Sequence, residues 1–389
     1  MIYYSLPFIL LLPCICQNKL NYSRYILFIV YVVMPIIFCF GYMVGSDWRS
    51  YELDYDLMDT SSFSYNVFRG EPGYYFLAFL VKKIGIGFWE FSILIKLVGY
   101  YSFIYIYRKY STNYVGLLYA IPAFMLYSMV NFPARSYLAF TVFMFNIPNI
   151  INRKFVRFVA LWILASTFHL SALIVFPVYF FTSFNTKHYL IVSIVLAVAA
   201  MVYIGFVGKD VFSVFSNLDY LDINERLDPY SNEQNIRSTF SIGLLVKIGL
   251  LLYLILKFPI NNKSGLLWYL ILKFPINNKS FNNDYTTAMI NLSITYVLFS
   301  AIAAVIPIFS RAADMISLPF FIILGMSAVK KTSISFNIVI LIVSVLLTIR
   351  IITSTYLFVP YSNYLEYIAS PKPSYEYRDN YNYNNSPYK

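Results

Sequence analysis

Charge is what this sequence has least of. Asp, Glu, Lys and Arg together make up 12% of its 389 residues, against 59% hydrophobic ones. A water-soluble domain cannot hide that much apolar surface behind so few charges, so most side chains face lipid or other helices. Cysteine is almost absent as well. Cys14, Cys16 and Cys39 all fall within apolar segments, none in a loop where oxidation would pair it with a distant partner, so neither disulfides nor Cys-rich metal sites are expected. The opening segment, Met1 to Cys16, lacks a basic n-region and a small-residue cleavage site, and reads as a retained span. The net charge of +11 would suggest nucleic acid in a soluble protein. Its Lys and Arg residues, among them Lys19, Arg24, Arg108, Lys109, Arg153, Lys154, Lys257 and Lys330, sit instead at the ends of apolar segments. Membrane topology explains them, and no nucleic-acid partner is expected.

What the chain does have is two kinds of polar gap between long apolar stretches. Two long gaps, Gly45 to Glu71 and Gly208 to Ser238, carry six carboxylates each, while most others are short and basic. Lys and Arg stay on the cytoplasmic side of a membrane whereas acidic loops cross freely, so each gap acquires a side. Spans need about 17 to 25 apolar residues. They fall near 2–16, 25–44, 88–107, 114–131, 135–150, 156–169, 171–185, 188–207, 239–257, 285–306, 312–329 and 333–356. The fold class is therefore an all-α integral membrane protein with about twelve transmembrane helices, polytopic over 1–357, with acidic outer loops at 45–72 and 208–238. Two short helices meeting near His169 account best for the run from Phe155 to Phe184.

Three segments depart from this plan. Pro72 to Lys83 has one apolar face, ends in Lys82 and Lys83, and yet lies on the outer side by the count, so it reads as an interfacial or re-entrant helix whose lysines would meet lipid phosphates. Residues 249–264 and 265–280 are a tandem duplication differing only at Leu252 against Trp268. A single duplication is no solenoid, and its second copy, too short to cross, is expected on the inner membrane surface. The stretch 358–389 is expected to be largely disordered, since from Pro371 to Lys389 it is rich in Tyr, Asn and Pro with almost no aliphatic residues to form a core.

The outer face collects the residues that could carry chemistry: Asp47, Trp48 and Tyr51 after a span, Glu71 before the re-entrant segment, Arg135 opening a span, His169 between two short helices, and Arg311 with Asp314 at another span start. An Arg, Lys or Asp at a helix centre costs about 2.5 to 3.5 kcal/mol on translocon scales, so each such residue needs a partner or a function. His169 is the first choice as general base, with Asp47 and Glu71 as runners-up. The plainer readings are a helix-to-helix hydrogen bond for His169 and span-end caps for Arg135 and Arg311. Lys247 and Arg350 sit inside apolar stretches as second-tier anion binders, and His188 reads as a surface residue. The pair Asp54 and Asp56 is the spacing expected of any acidic loop, so no metal site is assigned.

GSDWRSY (Gly45–Tyr51), EPGYYFL (Glu71–Leu77), the Arg135 of NFPARSYLAF, STFHLSALIVFP (Ser166–Pro177), SRAADMISLP (Ser310–Pro319) and VPYSNY (Val359–Tyr364) resemble, in order and sidedness, the motifs of EpsG-like, Wzy-type bacterial polysaccharide polymerases. The resemblance implies a GT-C-like glycosyltransferase of the Gram-negative inner membrane, with its active site facing the periplasm and no cofactor. It would transfer a growing O-antigen glycan from undecaprenyl diphosphate onto a lipid-linked repeat unit. The implied partners are the undecaprenyl diphosphate-linked donor and acceptor, membrane lipids and a chain-length regulator. Diphosphate and substrate binding would fall to Arg135, Arg311, Asp314, Trp48, Tyr51 and Tyr361. A lipid-linked oligosaccharide flippase and an O-antigen ligase are the competing functions. No half-to-half similarity of the transporter kind is visible in the sequence, and the EpsG-like motif set separates polymerase from ligase.

Overall fold

The computed structural model describes residues 22–45, 47–61, 71–118, 120–121, 134–207, 242–257, 283–303, 308–327, 361–373, 376–378 and 380. The spans expected at 2–16 and 333–356, the acidic loop 208–238, the second duplicated copy and Arg350 lie outside them. The described residues are helical, with one isolated β-bridge between Gly41 and Asn363. The chain forms two compact units, one of residues 1–144, 167–169 and 324–389 and one of 145–166 and 170–323.

The first unit is built around α5 (Phe88–Tyr110), against which α2 (Met34–Cys39), α3 (Trp48–Leu57), α4 (Pro72–Lys83) and α6 (Ala134–Met144) pack. At 23 residues α5 is roughly 35 Å long. It buries Phe91, Tyr100, Phe103 and Tyr107 completely, together with Lys96 beside Cys39. Gly99 lets α6 approach, since a side chain there would strike the Tyr137 ring, and Gly116 meets the backbone of Gly325. Ahead of α2, helix α1 (Tyr22–Phe28) runs into a π-helical turn at Ile29–Val33, whose Val30 carbonyl accepts the Tyr100 hydroxyl at 2.5 Å.

The stretch 358–389 was expected to be largely disordered, but its residues 361–367 are pinned onto α2. Tyr361 Oη donates to Ile37 O at 2.7 Å, Asn363 Nδ2 to Ile36 O at 3.0 Å and Tyr364 N to Phe40 O at 2.7 Å. The last carbonyls of a helix lack partners of their own, and these polar side chains supply donors where a core would need aliphatic groups.

The second unit comprises α7 (Ile147–Ile151), α8 (Phe155–Phe168) up to Ser166, a 3-10 turn (Leu170–Val175), α9 (Val178–Phe181), α10 (Thr186–Val207), α11 (Ile242–Lys257), α12 (Asn283–Ile302), α13 (Ile308–Met315) and the start of α14 (Leu318–Ser327). Helix α12 is its axis, packed by α7, α9, α10, α11 and α13. Its buried polar residues are satisfied locally, Ser293 on Met289 O and Thr295 on Asn291 O, with Tyr189 Oη 2.7 Å from Thr295 Oγ1. Around α10, Ile191, Val192, Ile194, Val195, Leu196 and Val198 are all exposed, a surface suited to lipid chains.

The described part of the protein is thus all-helical and consistent with a membrane protein, but its helices are more broken than the sequence suggested. Tyr285–Ile302 is long and apolar enough to cross alone, and Phe309–Met315 with Leu318–Met326, bent by 46°, passes the same test as a pair. The helical run of the expected span 25–44 ends at Cys39, and that at 135–150 is interrupted by a turn at Phe145–Asn146 before Pro148.

Candidate active site

Four of the residues singled out above meet in the first unit. Glu71 directly precedes α4, with Pro72 filling the first helical position, where its fixed φ suits the helix and its missing N–H is not needed. A carboxylate at this end of a helix is also favoured by the helix dipole. Arg135 is the second residue of α6, and His169 sits in the break after α8. At that break the chain folds back on itself: Trp162 Nε1 donates to Ala172 O at 2.8 Å, and the Phe176 ring packs at a tilt against Trp162 and Phe158.

Glu71 joins the other two. Its Oε1 lies 2.5 Å from His169 Nδ1 and its Oε2 2.9 Å from Arg135 Nη1. The Glu71 side chain is 1% exposed, whereas those of His169 and Arg135 are 25% and 26% exposed. A reactant can therefore reach the imidazole and the guanidinium but not the carboxylate. Glu71 holds the ring through Nδ1 and leaves Nε2 as the nitrogen that can exchange a proton with a bound molecule. Arg135 Nε donates to Tyr51 Oη at 3.2 Å, and its guanidinium stands 5.2 Å from the Tyr51 ring centroid. Burial pushes the Tyr51 phenol up from its ordinary pKa, with the neighbouring Arg135 acting in the opposite direction.

Tyr51 is delivered by α3, which is fixed from three directions. Trp89 Nε1 donates to Glu52 Oε1 at 2.8 Å and Tyr55 Oη to Ile86 O at 2.8 Å. Lys82, expected at lipid phosphates, instead donates to the carbonyls of Tyr55, Asp56 and Met58 at 2.7 to 2.8 Å and closes the C-terminal end of α3. The half-buried Glu52 carboxyl is raised above its ordinary value by desolvation, which the Trp89 hydrogen bond partly offsets.

The remaining expected site residues have other surroundings. Asp47 begins α3 and acts on Tyr51 through its charge, while its backbone carbonyl accepts Ser50 Oγ. Trp48 is 5% exposed and packed on Trp89, and Tyr361 is bonded to Ile37, so both serve the packing of the first unit. Arg311 and Asp314 lie on α13 of the second unit, where Asp314 feels the charges of Arg311 and Lys247. Lys247 donates to Ser300 Oγ at 3.1 Å and stands over the Tyr296 ring. Gly73, Thr167 and Lys96 went unremarked in the sequence. A lysine inside an apolar run was a visible signal for the last of them.

The sequence profile of the EpsG family matches residues 24–367, most of the chain. No curated protein and no solved structure matches it.

Proposed function

We propose, from the premise that this chain belongs to the EpsG family, whose members are Wzy-type polymerases, that it lengthens O-antigen or a similar surface glycan at the periplasmic face of a Gram-negative inner membrane. The growing chain is transferred from undecaprenyl diphosphate onto a lipid-linked repeat unit, by a protein that crosses the membrane about twelve times and works with a separate chain-length regulator. The observation that carries the chemistry is the buried Glu71 shared by His169 and Arg135. The acceptor hydroxyl oxygen bonds to the donor's anomeric carbon as its proton passes to His169 Nε2. The bond from that carbon to the diphosphate breaks, and the lipid diphosphate leaves with the electron pair. A fixed guanidinium stabilises the charge developing on that leaving group better than mobile water does, which is the role of Arg135. Arg311 and Asp314 are assigned to substrate binding by their motif alone.

The test is a deletion strain read on lipopolysaccharide gels. Loss of a polymerase leaves core carrying one repeat unit, loss of a ligase leaves core with none, and loss of a flippase traps the lipid-linked unit inside. Complementation by His169→Ala and Arg135→Ala, at normal membrane levels, is expected to leave the single-repeat band. Full ladders from both would refute the site, and a bare-core band in the deletion would refute the function.

A further inference from the structure

Two short runs of chain face each other at the site: Glu71–Pro72–Gly73, opening α4, and Thr167–Phe168–His169, closing α8. At one end Glu71 Oε1 and His169 Nδ1 are 2.5 Å apart. At the other, a Cβ on Gly73 would lie 2.5 Å from Thr167 Oγ1 and 3.0 Å from both the carbonyl carbon and oxygen of that residue. Residues 167–169 group with the first unit, although Ser166 and Leu170 on either side belong to the second.

Gly73 is not required by its backbone. It occupies an ordinary helical position, where propensity favours alanine over glycine. Space is the remaining reason for it. A hydroxyl can rotate away from an added methyl, but a backbone carbonyl moves only if the chain moves, and His169 is two residues further along. We propose that Gly73 is a positioning residue, a spacer whose missing side chain sets the separation at which Glu71 engages His169. The link to catalysis rests on the polymerase reading above, while the spacing itself does not. Displacing a reacting group by about 1 Å lowers turnover on the order of 100-fold.

The chain has two histidines, and the other, His188, is exposed on α10. In a His188→Gln background with imidazole-labelled histidine, solid-state NMR of the full chain in lipid nanodiscs therefore reports His169 alone. A hydrogen bond from Nδ1–H to the Glu71 carboxylate gives a deshielded proton signal, which Glu71→Gln is expected to lose. Gly73→Ala is expected to lose that signal and about 100-fold in polymerisation while still inserting as Glu71→Gln does. Adding Thr167→Ala is expected to restore part of the signal, because only the hydroxyl clash is relieved. Retention of the signal in Gly73→Ala overturns the proposal. So does failure of Gly73→Ala to insert where Glu71→Gln inserts, which would make Gly73 a folding residue. If the signal behaves as stated but the wild-type chain makes no polymer, the spacer stands and the polymerase reading falls.

Discussion

At the scale of single residues, the site works by dividing accessibility. Glu71 is sealed beneath two partners that remain reachable, so its removal should act through them. Glu71→Gln is expected to lower polymerisation by 10²- to 10⁴-fold, the usual span of general acid–base catalysis, as read from ladder length in the complemented strain. Arg135→Lys keeps a charge but loses the planar fork that serves Glu71 and Tyr51 at once, and should fall about 10- to 100-fold in the same assay. Glu52 gives a pH prediction. Its carboxyl is raised in the folded state, so its contribution to stability is full below the ordinary value of 4.5 and is lost as pH climbs through the raised one. The thermal midpoint in detergent should therefore drift down over that window. Glu52→Gln, which still accepts from Trp89, should remove the drift; an unchanged slope would show that the titration lies elsewhere.

At the scale of elements, helix ends closed from afar recur through the chain. The last carbonyls of α2 are taken by Tyr361 and Asn363, those of α3 by Lys82, that of Gly325 in α14 by Asn113, and those of Tyr179 and Phe181 in α9 by Arg153 and Asn291. Away from water, an orphan carbonyl must find such a donor within the protein. Asn363→Ala removes donors to Ile36 and Tyr361 and an acceptor from Leu365, and should cost about 1 to 3 kcal/mol, seen as a lower unfolding midpoint. This is also where sequence reading reached its limit. The bounds Pro72–Lys83 were legible because apolar spacing and the terminal lysines mark them, and the break at His169 because its run was too long for one helix. The docking of 361–367 was not, since a Tyr- and Asn-rich segment has no aliphatic pattern and its bonds are made to residues more than 300 positions away.

At the scale of the whole molecule, helical class and family were readable from hydropathy and motif order. Assigning gaps to one side grouped Glu71, Arg135, His169 and Tyr51 together, but with them Asp47, Trp48, Arg311 and Asp314, the last two of which lie in the other unit. The number of crossings was less legible, because the turn at Phe145–Asn146 before Pro148 interrupts a run that hydropathy treats as continuous. Sidedness itself is open to test. Reporter fusions at Asp56 and Asp222 are expected to face the periplasm, and a fusion at Lys154 the cytosol. Deleting Gly265–Ser280 should leave ladder length unchanged, since it removes only the second duplicated copy.

The anion shared by two basic groups has one more consequence. With the imidazole neutral, Glu71 and Arg135 sum to zero; once the ring takes up the acceptor's proton, the trio carries one positive charge. In the proposed reaction the cluster thus turns cationic at the step in which the departing lipid becomes more anionic, and it reverts to neutrality when the proton is released. Its electrostatic pull on the spent carrier is in this way tied to the progress of the reaction, strongest during transfer and relaxed when the carrier must be let go.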